Sequence, residues 1–148
     1  MLLNDRGDAL VGKRIDMTSD AWQMPQGGID DGEQPEQALW RELHEEVGTD
    51  KAVVIAQARE WLTYEFPPDL QPKLWRGRYR GQAQLWFLLR FQGTDADLDL
   101  DKHTDREFSE VQWVEPRHLP DLIVGFKREL YERVLAEFVD HLKLPVPR

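Results

Sequence analysis

Residues 27–48 read GGIDDGEQPEQALWRELHEEVG. Pro35 suits the first turn of a helix and Gly48 the position just past its end, so a helix is expected over Pro35–Val47. Leu39, Leu43 and Val47 repeat at helical spacing and form its apolar stripe. At about 100° per residue, Glu42, Glu45 and Glu46 gather within an arc of roughly 100° along the edge of that stripe. Like charges at this spacing repel. Either the acidic face is simply solvated, as is common for Glu-rich helices, or a cation sits on it. Hard divalent cations take oxygen ligands and share them with substrate phosphates, a need that carboxylates on one rigid helix meet.

The residues around the helix favour the second reading. Residues 25–31 hold Pro25, Gly27, Gly28, Asp30 and Asp31 and read as a loop. Its glycines let the backbone come close to a phosphate or a metal. Glu33 precedes Arg41 by eight residues, where a charge-assisted pair ties the loop to the helix.

Outward from there, the chain alternates strand and loop signals. An apolar run at residues 1–3, a turn at 4–7 and a strand over Ala9–Arg14 suggest an opening hairpin. Residues 17–20 read as a polar loop. Residues 53–65 have strand character and 68–75 are a loop. Residues 82–92, QAQLWFLLRFQ, carry the strongest strand signal, with Gln82 and Gln84 on one side of it. Residues 93–102 are acidic and loop-like, 110–114 are a strand, and 116–122 a connection with room for a helical turn. Residues 126–142 read as one amphipathic helix, with Leu130, Val134, Leu135, Phe138 and Leu142 at core spacing. Strands around a central helix, with a second helix closing the chain, imply an α/β (α+β) fold layered around a mixed sheet.

The chain has 148 residues, a length that fits one domain over 1–148. The net charge of −9 argues against a broad basic surface gripping nucleic acid. A local basic stretch, KLWRGRYR at residues 73–80, suits a polyphosphate or an RNA 5′ end, and equally a solvated loop. With no cysteine there is no disulfide, thiolate metal site or thiol nucleophile. No run approaches the length of a membrane span and the N-terminus lacks an apolar signal core, so a cytoplasmic protein is expected. His44, His103, His118 and His141 lack metal-ligand spacing and read as surface residues. The six tryptophans read mainly as core.

Gly27, Glu33, Arg41-Glu42-Leu43, Glu45-Glu46 and Gly48 stand at the spacing of the Nudix box, which the segment closely resembles. The one departure is Thr49, where that family usually has Ile, Leu or Val. Together with AWQMPQGGID, EWLTYEFP, GQAQLWFLLRF, REFSEVQWV and FKRELYERV, the segment is similar to the branch holding bacterial RNA pyrophosphohydrolases and dinucleoside polyphosphate hydrolases. Members of that branch usually carry further residues, including a Tyr-Arg pair, before the stretch matching MLLND. Either the start of this chain is misassigned or its first strand is shortened.

The resemblance implies a Nudix fold, an α/β/α sandwich around a central mixed sheet. It implies Mg²⁺, or Mn²⁺ or another divalent cation, held by Glu42, Glu45 and Glu46 with the Gly27 carbonyl, and Glu107 completing the site from a distant loop. A carboxylate takes the proton of an attacking water; Glu46 is favoured, with Glu42 and Glu107 close behind. Glu33, Arg41 and Gly48 are structural. Arg14 and Lys127 match phosphate-binding positions, Phe126 a base-stacking one, Tyr64 a tyrosine near the phosphates, and Gln82 suits the cleft; each also has an ordinary packing or surface reading. The implied substrates are 5′-phosphorylated RNA, trimmed to a 5′-monophosphate, or a nucleotide polyphosphate, with no membrane and no lasting nucleic-acid complex. A non-catalytic nucleotide sensor and a Nudix enzyme for another nucleoside diphosphate derivative are the alternatives.

Overall fold

The computed structural model describes residues 1–16, 20–70, 80–102 and 106–142. Residues 17–19, most of the basic stretch (71–79) and His103 lie outside them. Among the described residues, seven strands and three α-helices follow in chain order: β1 (Leu2–Leu3), β2 (Ala9–Arg14), α1 (Pro35–Val47), β3 (Ala52–Gln57), β4 (Leu62–Glu65), β5 (Gly81–Gln84), β6 (Phe87–Phe91), β7 (Phe108–Val114), α2 (Leu119–Leu122) and α3 (Arg128–Glu137). Five strands form a mixed sheet in the order β3-β6-β1-β2-β7, and β4 and β5 form a separate two-stranded sheet. Among the described residues, only the β1–β6 pairing is parallel.

The pleat of the large sheet decides what each face buries. Successive side chains of a strand point to opposite faces. Leu2, Leu10, Phe87, Leu89 and Phe91 therefore share one face with Leu43 and Val47 of α1. Leu3, Ala9, Val11 and Leu88 share the other with Leu119, Leu130, Tyr131 and Val134 of α2 and α3. Helices cover both faces, giving the layering the sequence implies. Burial on both sides also explains why β6 reads FLLRF rather than alternating apolar with polar.

α1 has the expected limits. Its first turn holds Pro35, and the Gln34 N–H donates to Gln37 Oε1 at 2.8 Å. It stops at Gly48, whose φ of 74° is left-handed and whose N–H donates to the His44 carbonyl. A Cβ at Gly48 would also collide with the Asp99 backbone. The opening hairpin forms as well, β1 pairing antiparallel with β2, with β1 only two residues long.

Four segments differ from the sequence reading. Residues 53–65 form two strands in different sheets: β3 pairs with β6, then the chain turns away after Ala58 so that β4 pairs with β5. The same turn splits residues 82–92 at Leu85–Trp86, where the Trp86 carbonyl accepts from the Ala58 N–H. A continuous apolar run does not reveal where a strand changes partners. β7 begins at Phe108, not at residue 110, pairing Phe108 with Arg14 across a register shift in β2. Residues 126–142 are not one helix. Gly125–Lys127 and Val139–His141 are 3₁₀ turns flanking the ten residues of α3, so Phe126 and Lys127 precede the α-helix.

One buried hydrogen bond anchors the glycine loop to α3. The Met24 N–H donates to Tyr131 Oη at 2.8 Å, and both residues are buried. Tyr131→Phe leaves that N–H without a partner and is expected to cost about 1–3 kcal/mol of stability, measurable by urea unfolding.

Candidate active site

The carboxylates meet where α1, the glycine loop and the start of β7 converge. β2 pairs with β7 and also bridges Gln23 through reciprocal Gly12–Gln23 backbone bonds. Gln23 leads through Met24 into the loop, which the Tyr131 bond holds from the other side. At the far end of β2 the Ile15 N–H donates to the Glu107 carbonyl at 2.9 Å, drawing Glu107 to the sheet edge facing α1. Glu42, Glu46 and Glu107 each place a carboxylate oxygen within 4.8 Å of the others.

Burial sharpens this arrangement. Glu46 is 1% exposed. Its Oε2 accepts from the Gln26 N–H at 3.2 Å, while Oε1 is buried with no hydrogen-bond partner among the described residues. Burial, then the neighbouring Glu107 and Glu42, push the Glu46 carboxyl well above the ordinary glutamate range, against the Gln26 bond and the Arg14 charge. Glu42 is also raised, chiefly by burial and against the opposing pull of Arg41.

Arg41 organises the rest of the acidic cluster. Its guanidinium forks onto Glu33 at 2.8 and 3.0 Å, reaches Glu42 at 2.8 Å and Glu45 at 3.2 Å, and donates to the Gly28 carbonyl at 2.7 Å. That Arg41 bond, with one from the Asp30 N–H, holds the Glu33 carboxyl down at about 2. Glu45 thus sits on Arg41, outside the group formed by Glu42, Glu46 and Glu107. Gly27 packs so tightly on Glu42 that a Cβ there would collide with the Glu42 carboxyl. Close approach, rather than backbone freedom, requires this glycine.

Gly27, Glu42, Glu46 and Glu107 line a cleft of about 580 Å³. Arg14, Gln26 and Gln82 line it as well. Arg14 forks onto Asp16 at 2.9 and 2.8 Å, and Asp16 chiefly, then Glu107 and Glu46, hold its guanidinium firmly charged. An amide relay crosses the cleft wall. Tyr64 Oη donates to Gln82 Oε1 at 2.7 Å, Gln84 Nε2 donates to Gln26 Oε1 at 2.9 Å, and Trp86 Nε1 donates to Gln84 Oε1 at 3.0 Å. Gln82 and Gln84 share one side of their strand, as the alternation requires.

Residues 1–134 match the NUDIX domain family. The chain belongs to that family. An RNA pyrophosphohydrolase of Novosphingobium aromaticivorans is 54% identical over 143 residues, 95% of this chain and 89% of the relative. One from Zymomonas mobilis is 50% identical over 93% of this chain and 90% of its own. Among solved structures, the C. elegans Ap4A hydrolase binary complex aligns with a TM-score of 0.64 at 19% identity, covering 95% of this chain and 96% of that one. The E. coli dihydroneopterin triphosphate pyrophosphohydrolase aligns at 0.63 and 19%, covering 92% of each. These structural likenesses speak for the Nudix fold alone, whereas the close relatives make this Nudix chain a hydrolase.

A divalent cation fits this Nudix site. Its donors are hard oxygens, they converge, and Oε1 of Glu46 is an orphaned buried acceptor that a cation would satisfy. Tyr64, Phe126 and Lys127 form a second cluster, joined to the cleft through Gln82. The Lys127 Nζ lies 5.1 Å from the Tyr64 ring centroid, and the Tyr64 and Phe126 rings are 6.1 Å apart. Burial, with Arg14 nearby, lowers the Lys127 ammonium to about 8, and burial raises the Tyr64 phenol to about 12.

Three cleft residues escaped the sequence reading. Gln26 caps Glu46 through its backbone, and Ile29 is 44% exposed beside the glycines. Trp61 is 48% exposed and lines the cleft instead of joining the core. Nothing in residue type or spacing separates Trp61 from the buried Trp86. No helix among the described residues is long and apolar enough to cross a membrane.

Proposed function

We propose that this chain is a Mg²⁺-dependent pyrophosphohydrolase that trims 5′-triphosphorylated RNA to its 5′-monophosphate and also cleaves dinucleoside polyphosphates. It works as a single Nudix domain over residues 1–148, in the cytoplasm. The observation that carries the reading is the convergence of Glu42, Glu46 and Glu107 around the orphaned Glu46 oxygen in the wall of an open cleft. The relatives named RNA pyrophosphohydrolase at 54% and 50% identity supply the substrate class.

In the reaction a water oxygen bonds to phosphorus and an anhydride P–O bond breaks; the electron pair leaves with pyrophosphate from triphosphate RNA, or with a nucleotide from a dinucleoside polyphosphate. Mg²⁺ would be held by Glu42, Glu46 and Glu107, with the Gly27 carbonyl and Glu45 at its margin. Bound there, it supplies Lewis-acid neutralisation of the polyphosphate charge. Glu46, buried and within reach of the Glu42 and Glu107 carboxylates, accepts the proton of the attacking water. Arg41 orients Glu42 and ties the loop to α1. Arg14 meets the phosphates, and Lys127 and Phe126 receive charge and a base at the Tyr64 end.

Arg14 must release Asp16 to take a phosphate in its fork. Asp16→Asn weakens that competing pair and is expected to lower KM by up to about fivefold with kcat little changed, the worth of an exposed ion pair. Steady-state kinetics on the triphosphate substrate checks this.

The activity is tested with Mg²⁺ on 5′-triphosphate RNA and diadenosine tetraphosphate in parallel, comparing kcat/KM. Preference for RNA supports a role in RNA decay. Preference for the dinucleotide reassigns the chain to nucleotide clearance. Binding without turnover of either would leave a nucleotide sensor.

A further inference from the structure

The cleft does not end at the carboxylates. Along α1 the cleft-lining residues run Pro35, Ala38, Leu39, Glu42, Leu43 and Glu46, all apolar toward the N-terminal end and with both carboxylates toward the other. Leu39 precedes Glu42 by one turn and Pro35 by two, so the apolar stretch lies roughly 5–10 Å along the axis from the Glu42 carboxylate. Trp61, just before β4, lines the same cleft, and its neighbour Leu62 pairs with Gln84 of β5. Ile29, two residues beyond Gly27, also lines the cleft.

Trp61 and Ile29 are 48% and 44% exposed. A tryptophan is usually well buried, and its indole left open in a cleft offers a flat apolar face at little conformational cost. The amide groups of Gln26 and Gln84 stand at the same wall and offer polar edges. A planar ring system with polar edges, carried about one helical turn from a polyphosphate, matches this combination. Trp61, Leu39 and Ile29 line the cleft itself, whereas Tyr64, Phe126 and Lys127 cluster with one another beyond Gln82.

We propose that Trp61, with Leu39 and Ile29, forms a nucleobase subsite in which a base stacks on the indole while its phosphates lie at Glu42 and Glu46. The subsite rests on the proposed pyrophosphohydrolase reading for its phosphate end. Stacking is tolerant of base identity, because every base has an apolar face, so the subsite adds affinity with little sequence preference.

The test is calorimetric binding with Mg²⁺ to a non-hydrolysable nucleotide, adenosine 5′-(α,β-methylene)diphosphate, and to base-free methylenediphosphonate. Trp61→Ala is expected to weaken nucleotide binding about tenfold, the usual scale for one lost stacking partner. Methylenediphosphonate binding stays unchanged, and Trp61→Phe regains most of the nucleotide affinity. Unchanged nucleotide affinity in Trp61→Ala overturns the subsite, as does an equal fall for both ligands or a wild-type protein that binds both equally well. An enzyme that hydrolyses triphosphate RNA yet ignores Trp61 loses the subsite and keeps the activity. One that binds nucleotide through Trp61 without hydrolysis keeps the subsite and loses the activity.

Discussion

Glu46→Gln is expected to fold normally and to lose turnover by about 10²–10⁴-fold, the scale of removing a positioned general base. Gln keeps the shape and can still accept the Gln26 N–H bond that Glu46 makes, so the loss reports charge and proton acceptance. A second consequence separates function from stability. Burial first, then Glu107 and Glu42, raise the Glu46 pKa in the folded chain above its unfolded value. Folding therefore favours the neutral carboxyl: its contribution is present below the ordinary glutamate pKa and is lost as pH rises through the raised folded value. Glutamine carries no such charge. With a chelator present, thermal melts should show Glu46→Gln more stable than wild type, by a margin that widens from acid to neutral pH. Saturating Mg²⁺ should raise the wild-type Tm and leave that of the variant nearly unmoved. A variant less stable than wild type at neutral pH without cations would contradict the burial of an unpaired Glu46.

Gly27→Ala is expected to cut kcat/KM by about 10²-fold, the cost of a shift near 1 Å in a reacting group. The added Cβ falls on the Glu42 carboxyl, which Arg41 holds from the other side, so Glu42 must swing out of the group it forms with Glu46 and Glu107. Gly28→Ala is the matched control, because open space surrounds its would-be Cβ. Kinetics on both variants, with circular dichroism to check the fold, decides the point. Equal losses in both would locate the effect in loop mobility instead of Glu42.

The helix at the centre of the site was legible because its signals are local. Pro35, Gly48 and the Leu39/Leu43/Val47 stripe fix α1 within a few turns of chain, and the pairing of Glu33 with Arg41 spans only eight residues. Glu107 was another matter. Its neighbours show only an exposed loop acid, and what brings it to Glu46 is the pairing of β2 with β7 and the Ile15–Glu107 bond, both long-range. The resemblance placed it there; composition and period did not. The breaks at Ala58 and Leu85–Trp86 were hidden for the same reason, since a strand that changes sheets keeps its apolar pattern while its partner changes. Trp61 stayed hidden because an indole at a cleft mouth and one in a core look alike until the sheets are assembled. Glu45 illustrates the limit of helical geometry. It shares the acidic arc with Glu42 and Glu46, yet Arg41 claims it.

The most direct test of the cation-dependent carboxylate site is initial-rate hydrolysis of 5′-triphosphate RNA as Mg²⁺ is titrated, with Glu46→Gln and Glu107→Gln alongside wild type. The expected result is saturable Mg²⁺ dependence in wild type and rates in both variants lower by orders of magnitude at every Mg²⁺ concentration. Cation-independent turnover, or variants that match wild type at saturating Mg²⁺, would contradict it.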